Sequence, residues 1–200
     1  MRGVGEMKRK ILSMFLATVM MFGIFDVTYG ATIENTVTTQ STSTTIVKSG
    51  ECGENVTYTL DSDGLLTISG SGDMYDYGSE PSPFNFFNSA NIEKVVIEKG
   101  VTSIGIYAFC GCSLTSIEIP SEVTKIGECA FSECYNLTSI EIPEGVTNIG
   151  HATFWGCSSL TNIEIPEGVT SIESSAFEGC SGLTSIEIPA GVTSIGYSAF

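Results

Sequence analysis

One phrase recurs almost unchanged along the second half of the chain. It reads LTSIEIP from Leu114, LTSIEIP from Leu137, LTNIEIP from Leu160 and LTSIEIP from Leu183, so successive copies start 23 residues apart. A fixed period of this length marks a solenoid, whose units stack because none can enclose its own apolar face. The expected fold is therefore mainly β: a stack of coils with short parallel strands.

The unit from Leu137 to Ser159 shows how one coil is built. Ile140, Glu141 and Ile142 alternate apolar, polar, apolar, the period of a half-buried strand. Pro143 cannot donate to a ladder and should end it. Glu144-Gly145 reads as a turn, and Val146 to Ile149 as a second short extended piece. The stretch from Gly150 to Cys157 suits a single helical turn. Stacking then files like residues into columns. Ile117, Ile140, Ile163 and Ile186 make one, and Phe109, Phe131, Phe154, Phe177 and Phe200 make another. A degenerate first coil starts at Ile92 and carries Glu98 where the others have proline.

The unit LTSIEIPEGVTSI, continued by AFxGCSS, resembles the BspA-like, or Treponema-type, leucine-rich repeat family from Ile92 to Phe200. Two departures stand out. Glu122 replaces the glycine of Gly145, Gly168 and Gly191, so that turn should not demand a positive φ. Glu173 replaces the glycine of Gly105, Gly127, Gly150 and Gly196. The resemblance implies a curved stack and a role in surface adhesion or protein recognition.

The chain divides into four segments. Residues 1–30 read as a secretory signal peptide, with a basic start, an apolar run from Ile11 to Phe25, and a small-residue site before Ala31. A retained membrane anchor is the alternative. Residues 31–48 are rich in Ser and Thr and read as a linker. Residues 49–90 read as an N-terminal cap, with a β-hairpin of Val56 to Leu60 and Leu65 to Ser69 around Asp61 to Gly64. Met74, Tyr75, Tyr77, Phe84, Phe86 and Phe87 add an aromatic cluster that should seal the stack. Residues 91–200 hold the repeats. They stop inside a coil with no closing unit, so a longer polypeptide is expected.

Charge narrows the partners. The signal segment holds four of the eight basic residues and two of the 23 acidic ones, leaving the remainder at −17. Such a surface repels nucleic acid and anionic membrane. It favours basic partners or divalent cations, although plain solubility explains it too. The outward column Glu118, Glu141, Glu164 and Glu187, with Thr115, Thr138, Thr161 and Thr184 beside it, is the candidate ligand-binding face. Calcium is the candidate cation for this column, and no other cofactor is expected.

Seven cysteines are present, of which Cys112, Cys134, Cys157 and Cys180 share one repeat position. Coil spacing would permit disulfides, but the inward position favours free buried thiols. Zinc is disfavoured because identical columns do not converge. His151, the sole histidine, falls at a variable position and should lie on the surface. No phosphate loop, nucleophile elbow or metalloprotease helix appears, and a repeat offers one group many times over, whereas catalysis needs different groups at one point. A secreted or cell-surface recognition module for a protein ligand, monomeric and not an enzyme, is the leading expectation. A carbohydrate-associated module, using Tyr75, Tyr77, Phe84, Phe86, Phe87 or Trp155, is the alternative. A passive spacer is a third.

Overall fold

Each coil but the outermost contributes two short strands, separated in every coil after the first by a proline-headed turn, and the two strands feed different ladders. The computed structural model describes residues 44–78, 82–84 and 92–200. The signal segment, most of the linker, and Phe86 and Phe87 of the cap lie outside them.

Strands β1 (Ile46–Glu51), β2 (Val56–Asp61) and β3 (Leu65–Gly70) are antiparallel neighbours. β1 begins inside the stretch read as linker, so Ile46 to Lys48 are paired backbone. β4 (Gly72–Asp73) follows, then β5 (Lys94–Ile97), β6 (Val101–Ile104), β7 (Ser116–Glu118) and β8 (Lys125–Ile126). The hairpin does not merely cover the stack. β3 pairs in parallel with β5, and β5 with β7, so the cap and first coils share one sheet. The second ladder runs β4, β6, β8.

The later coils supply β9 (Ser139–Glu141), β10 (Asn148–Ile149), β11 (Asn162–Glu164), β12 (Ser171–Ile172) and β13 (Ser194–Ile195). β9 pairs with β11, placing Ile140 against Ile163 and Glu141 against Glu164. β10, β12 and β13 form the other ladder. Between β7 and β9 the coils are joined by the Thr138 N–H, which donates to the Thr115 carbonyl at 3.3 Å. Ile117, Ile140 and Ile163 are buried, and Ile186 in the outermost coil is half-buried.

The proline turns behave as sequence predicts. Val123, Val146, Val169 and Val192 donate to the carbonyls of Pro120, Pro143, Pro166 and Pro189 at 3.0–3.1 Å. Gly145, Gly168 and Gly191 do not take a positive φ, which is why Glu122 fits the same turn.

The expected helical turn is different. No helix occurs among the described residues. From Gly105 to Cys112 the amides alternate. Ala108, Cys110 and Cys112 donate within the coil, to Gly105, Tyr107 and Phe109, while Tyr107, Phe109 and Gly111 donate to Glu128, Ala130 and Ser132 of the next coil. The later coils repeat the pattern. Left-handed residues make the alternation possible: φ is 56° at Tyr107, 53° at Cys129, 50° at Ala152, 57° at Ser175 and 50° at Ser198. A helix needs φ near −60° throughout, so each such residue breaks it and turns alternate N–H groups outward to a neighbour.

Beneath these turns the phenylalanines stack. Ring centroids from Phe84 through Phe109, Phe131, Phe154, Phe177 and Phe200 are 5.2–5.6 Å apart, with planes within 14° of parallel. Phe84 of the cap thus heads the repeat column, and Tyr58 meets its ring edge-on at 5.2 Å. The thiol column lies alongside. Cys134, Cys157 and Cys180 donate from Sγ to the carbonyls of Phe109, Phe131 and Phe154 at 3.0–3.2 Å. All seven cysteines are free. Burial pushes the Cys112 thiol up to about 12, and Cys157 is held protonated by its contact with Cys180 and by burial.

Candidate functional site

Alternation along the first strand of each coil decides what faces solvent. In Ser139-Ile140-Glu141 the isoleucine is buried and its two neighbours are exposed. Asn162-Ile163-Glu164 repeats this in direct register. The exposed face therefore carries two parallel files, one of glutamates and one of small polar residues.

Glu118, Glu141, Glu164 and Glu187 are all exposed. Glu141 and Glu164 are directly paired positions on parallel strands. A groove of about 460 Å³ runs past them, bounded by Ser139, Asn162, Glu144 and Pro143. A second, of about 560 Å³, continues between Glu164 and Glu187. At the cap end, Val96 stands in the glutamate file beside Glu118. Lys94, on the adjoining file, reaches the Glu118 carboxylate at 2.5 Å. Its counterparts in later coils are Ser116, Ser139, Asn162 and Ser185, none charged. One glutamate of the column is thus neutralised, while Glu141 and Glu164 face each other with no cation from that file.

The threonines are engaged differently. Thr115 gives both its N–H (3.0 Å) and its hydroxyl (2.9 Å) to the Glu93 carbonyl. Thr138 does the same to Thr115, and Thr161 to Thr138. Thr184 is exposed in the outermost coil. Three of the four hydroxyls therefore close bonds between coils, with their lone pairs left toward solvent. Thr170 and Thr193 make the same kind of bond on the second ladder.

Glu173, the odd residue at a glycine position, also joins two coils. Its carboxylate accepts from the Asn148 amide at 2.8 Å and the His151 N–H at 3.1 Å. At Gly127 a Cβ would stand 2.5 Å from the Ile106 nitrogen, whereas at Gly150 the nearest atom is 3.4 Å away. The coils are open enough near position 150 for a side chain to enter in the next coil.

Of the cap aromatics, Tyr75, Tyr77 and Phe84 fall among the described residues. Phe84 is 1% exposed and Tyr77 packs against the core, while Tyr75 is exposed. Exposed aromatic side chains that sequence reasoning passed over, Tyr107, Tyr135 and Tyr197, lie on the turn side with Trp155. Among the described residues no three His, Cys, Asp or Glu side chains converge to hold a metal ion.

The family described as BspA type leucine rich repeat region matches residues 82–200, in six copies. This chain belongs to that family. Solved structures of bacterial leucine-rich repeat proteins are similar to it. A leucine-rich repeat protein from Bacteroides ovatus is 34% identical with a TM-score of 0.51, over 74% of this chain and 37% of that one. A leucine rich cell surface protein from Faecalibacterium prausnitzii is 29% identical with a TM-score of 0.50, over 76% and 52%. A leucine-rich repeat protein from Eubacterium ventriosum is 22% identical with a TM-score of 0.47, over 76% and 63%. The chain thus spans less than two thirds of the length of each. No curated protein matches the sequence. The BspA-type match begins at residue 82 and so takes in Phe84, the first ring of the phenylalanine column.

Proposed function

We propose that this BspA-type chain is a recognition module of a secreted or cell-surface protein, and that its strand face takes a basic protein ligand. The observation that carries this is the direct pairing of Glu141 with Glu164 in a groove whose adjoining file holds Ser139 and Asn162. Two carboxylates about 5 Å apart repel by roughly 0.8 kcal/mol in water, and more where solvent is excluded. A ligand presenting Lys or Arg relieves that repulsion on binding and is steered in by the acidic surface. The similar Faecalibacterium protein is a cell surface protein, which agrees with the location. We assign the chain no catalytic step, since the strand face repeats one functional group along its length.

The test is surface plasmon resonance of the whole secreted chain against immobilised host matrix proteins, compared with Glu118, Glu141, Glu164 and Glu187 all changed to Gln. Binding that weakens about tenfold or more in the variant, and in high salt, supports the reading. Equal binding by the charge-stripped chain overturns it. Calcium is the rival cover for the column, and a calorimetric titration giving no heat removes it.

A further inference from the structure

The repeat explains what is constant from coil to coil, so residues that break it on an exposed face call for another reason. On the turn side two files border a groove: Tyr107, Cys129, Ala152 and Ser175 on one edge, and Cys110, Ser132 and Trp155 on the other. The first file is the left-handed position of every coil. Later coils fill it with small residues, whereas the first has a tyrosine, a bulky residue rarely found at positive φ. Trp155 stands where its counterparts are Cys110, Ser132 and Glu178. Tyr107 is 37% exposed and Trp155 39%. They belong to coils two apart, a separation of roughly 10 Å along the stack. The groove between them has a volume of about 360 Å³.

The polar lining is rich in acceptors. His151 lies 2.9 Å from the Ser174 carbonyl through Nδ1. A carbonyl only accepts, so the neutral ring carries its proton on Nδ1 and leaves Nε2 as an acceptor. Glu133 adds a carboxylate, and Ser132 and Ser175 add hydroxyls. No Lys or Arg lines the groove. Acidic ligands are thereby disfavoured, and a ligand rich in hydroxyl donors is favoured. Half-exposed aromatic faces set apart along an open, shallow groove suit the apolar faces of successive sugar rings better than a peptide, which would need deeper apolar pockets.

We propose that this groove binds a neutral polysaccharide chain, with Tyr107 and Trp155 stacking on sugar rings and His151 Nε2 and Glu133 accepting from ring hydroxyls. The site is separate from the strand face and independent of the glutamate column.

Trp155 is the only tryptophan in the chain, so its fluorescence reports on the groove directly. The whole chain is titrated with xyloglucan, mixed-linkage β-glucan, galactomannan and maltodextrin, with polygalacturonate as the acidic comparison. A saturable blue shift with at least one neutral polymer and none with polygalacturonate is expected. Tyr107→Ala should weaken it about tenfold, while Tyr197→Ala, on the same side but outside the groove, and the four-glutamate variant should leave it unchanged. Circular dichroism checks that each variant is folded. No shift with any neutral polymer, or an unaltered shift in folded Tyr107→Ala, overturns the proposal. So does a shift given only by an added proline-rich peptide, which would mark the groove as a peptide site.

Discussion

Thr138 donates both its N–H and its hydroxyl to the carbonyl of Thr115, one coil earlier. The residue is exposed, yet its side chain is part of the ladder. Thr138→Val keeps the shape and removes the hydroxyl bond. A net hydrogen bond contributes about 0.5–1.5 kcal/mol, so chemical denaturation should show a loss in that range, although no buried contact is touched.

The paired carboxylates should behave in the opposite sense. Changing Glu141 and Glu164 together to Gln removes a like-charge pair on adjacent strands. Stability should rise by about 0.5–1 kcal/mol at low ionic strength. The gain should shrink at high salt, since both side chains are exposed. Denaturation curves at two salt concentrations check both statements; a loss of stability at low salt would contradict them.

Glu133 holds φ at 60° where Gly111, Gly156 and Gly179 hold 71–77°. A left-handed L-residue costs roughly 1–2 kcal/mol, partly offset by the greater entropy glycine loses on folding. Glu133→Gly should therefore raise stability by about 0.5–1 kcal/mol, with a correspondingly higher melting temperature.

The phenylalanine column should grade by position. Phe131 is fully buried between two parallel rings, while Phe200 is 54% exposed at the outer end. Phe131→Ala should cost about 3–5 kcal/mol, and Phe200→Ala well under half of that. Equal losses would mean that the rings do not act as a continuous core.

The thiols predict an alkaline limit. Cys52 and Cys112 are each pushed by burial from 9.0 up to about 12. A raised folded value means the thiolate forms first in the unfolded chain. Their contribution is complete below about pH 9 and is lost as pH climbs toward 12, at about 1.4 kcal/mol per pH unit per thiol. Urea midpoints measured across that window should fall, and changing both residues to Ser should flatten the decline. Under native conditions at neutral pH, alkylation should reach half-exposed Cys110 before Cys112, Cys134, Cys157 or Cys180.

Columns are legible in a repeat because period alone specifies them, and Ile140 against Ile163 and the ring series from Phe109 follow from counting. Direction of hydrogen bonding is not. Nothing in Gly105 to Cys112 announces that alternate amides leave the coil, because the left-handed residues that allow it are Tyr, Cys, Ala and Ser rather than glycine. So short a stretch reads from sequence as a single helical turn. The threonines read as outward ligands because strand alternation says where a side chain points, not which carbonyl lies beside it. Irregular surroundings place Phe84 in the cap, and only the fold shows it in file with Phe109. The groove of Tyr107 and Trp155 draws on residues 48 positions apart that follow no period, so pattern reading passes over it.

The turn-side amides have one further effect. Tyr107, Cys129, Ala152 and Ser175 send their N–H groups forward, to Glu128, His151, Ser174 and Tyr197, whereas Thr115, Thr138, Thr161 and Thr170 send theirs backward. Peptide dipoles on the two flanks therefore oppose one another. An α-helix sums its dipoles into a field with a positive and a negative end; here they largely cancel along the long axis. Whatever polarity an approaching molecule senses must then come from the side chains, chiefly its carboxylates.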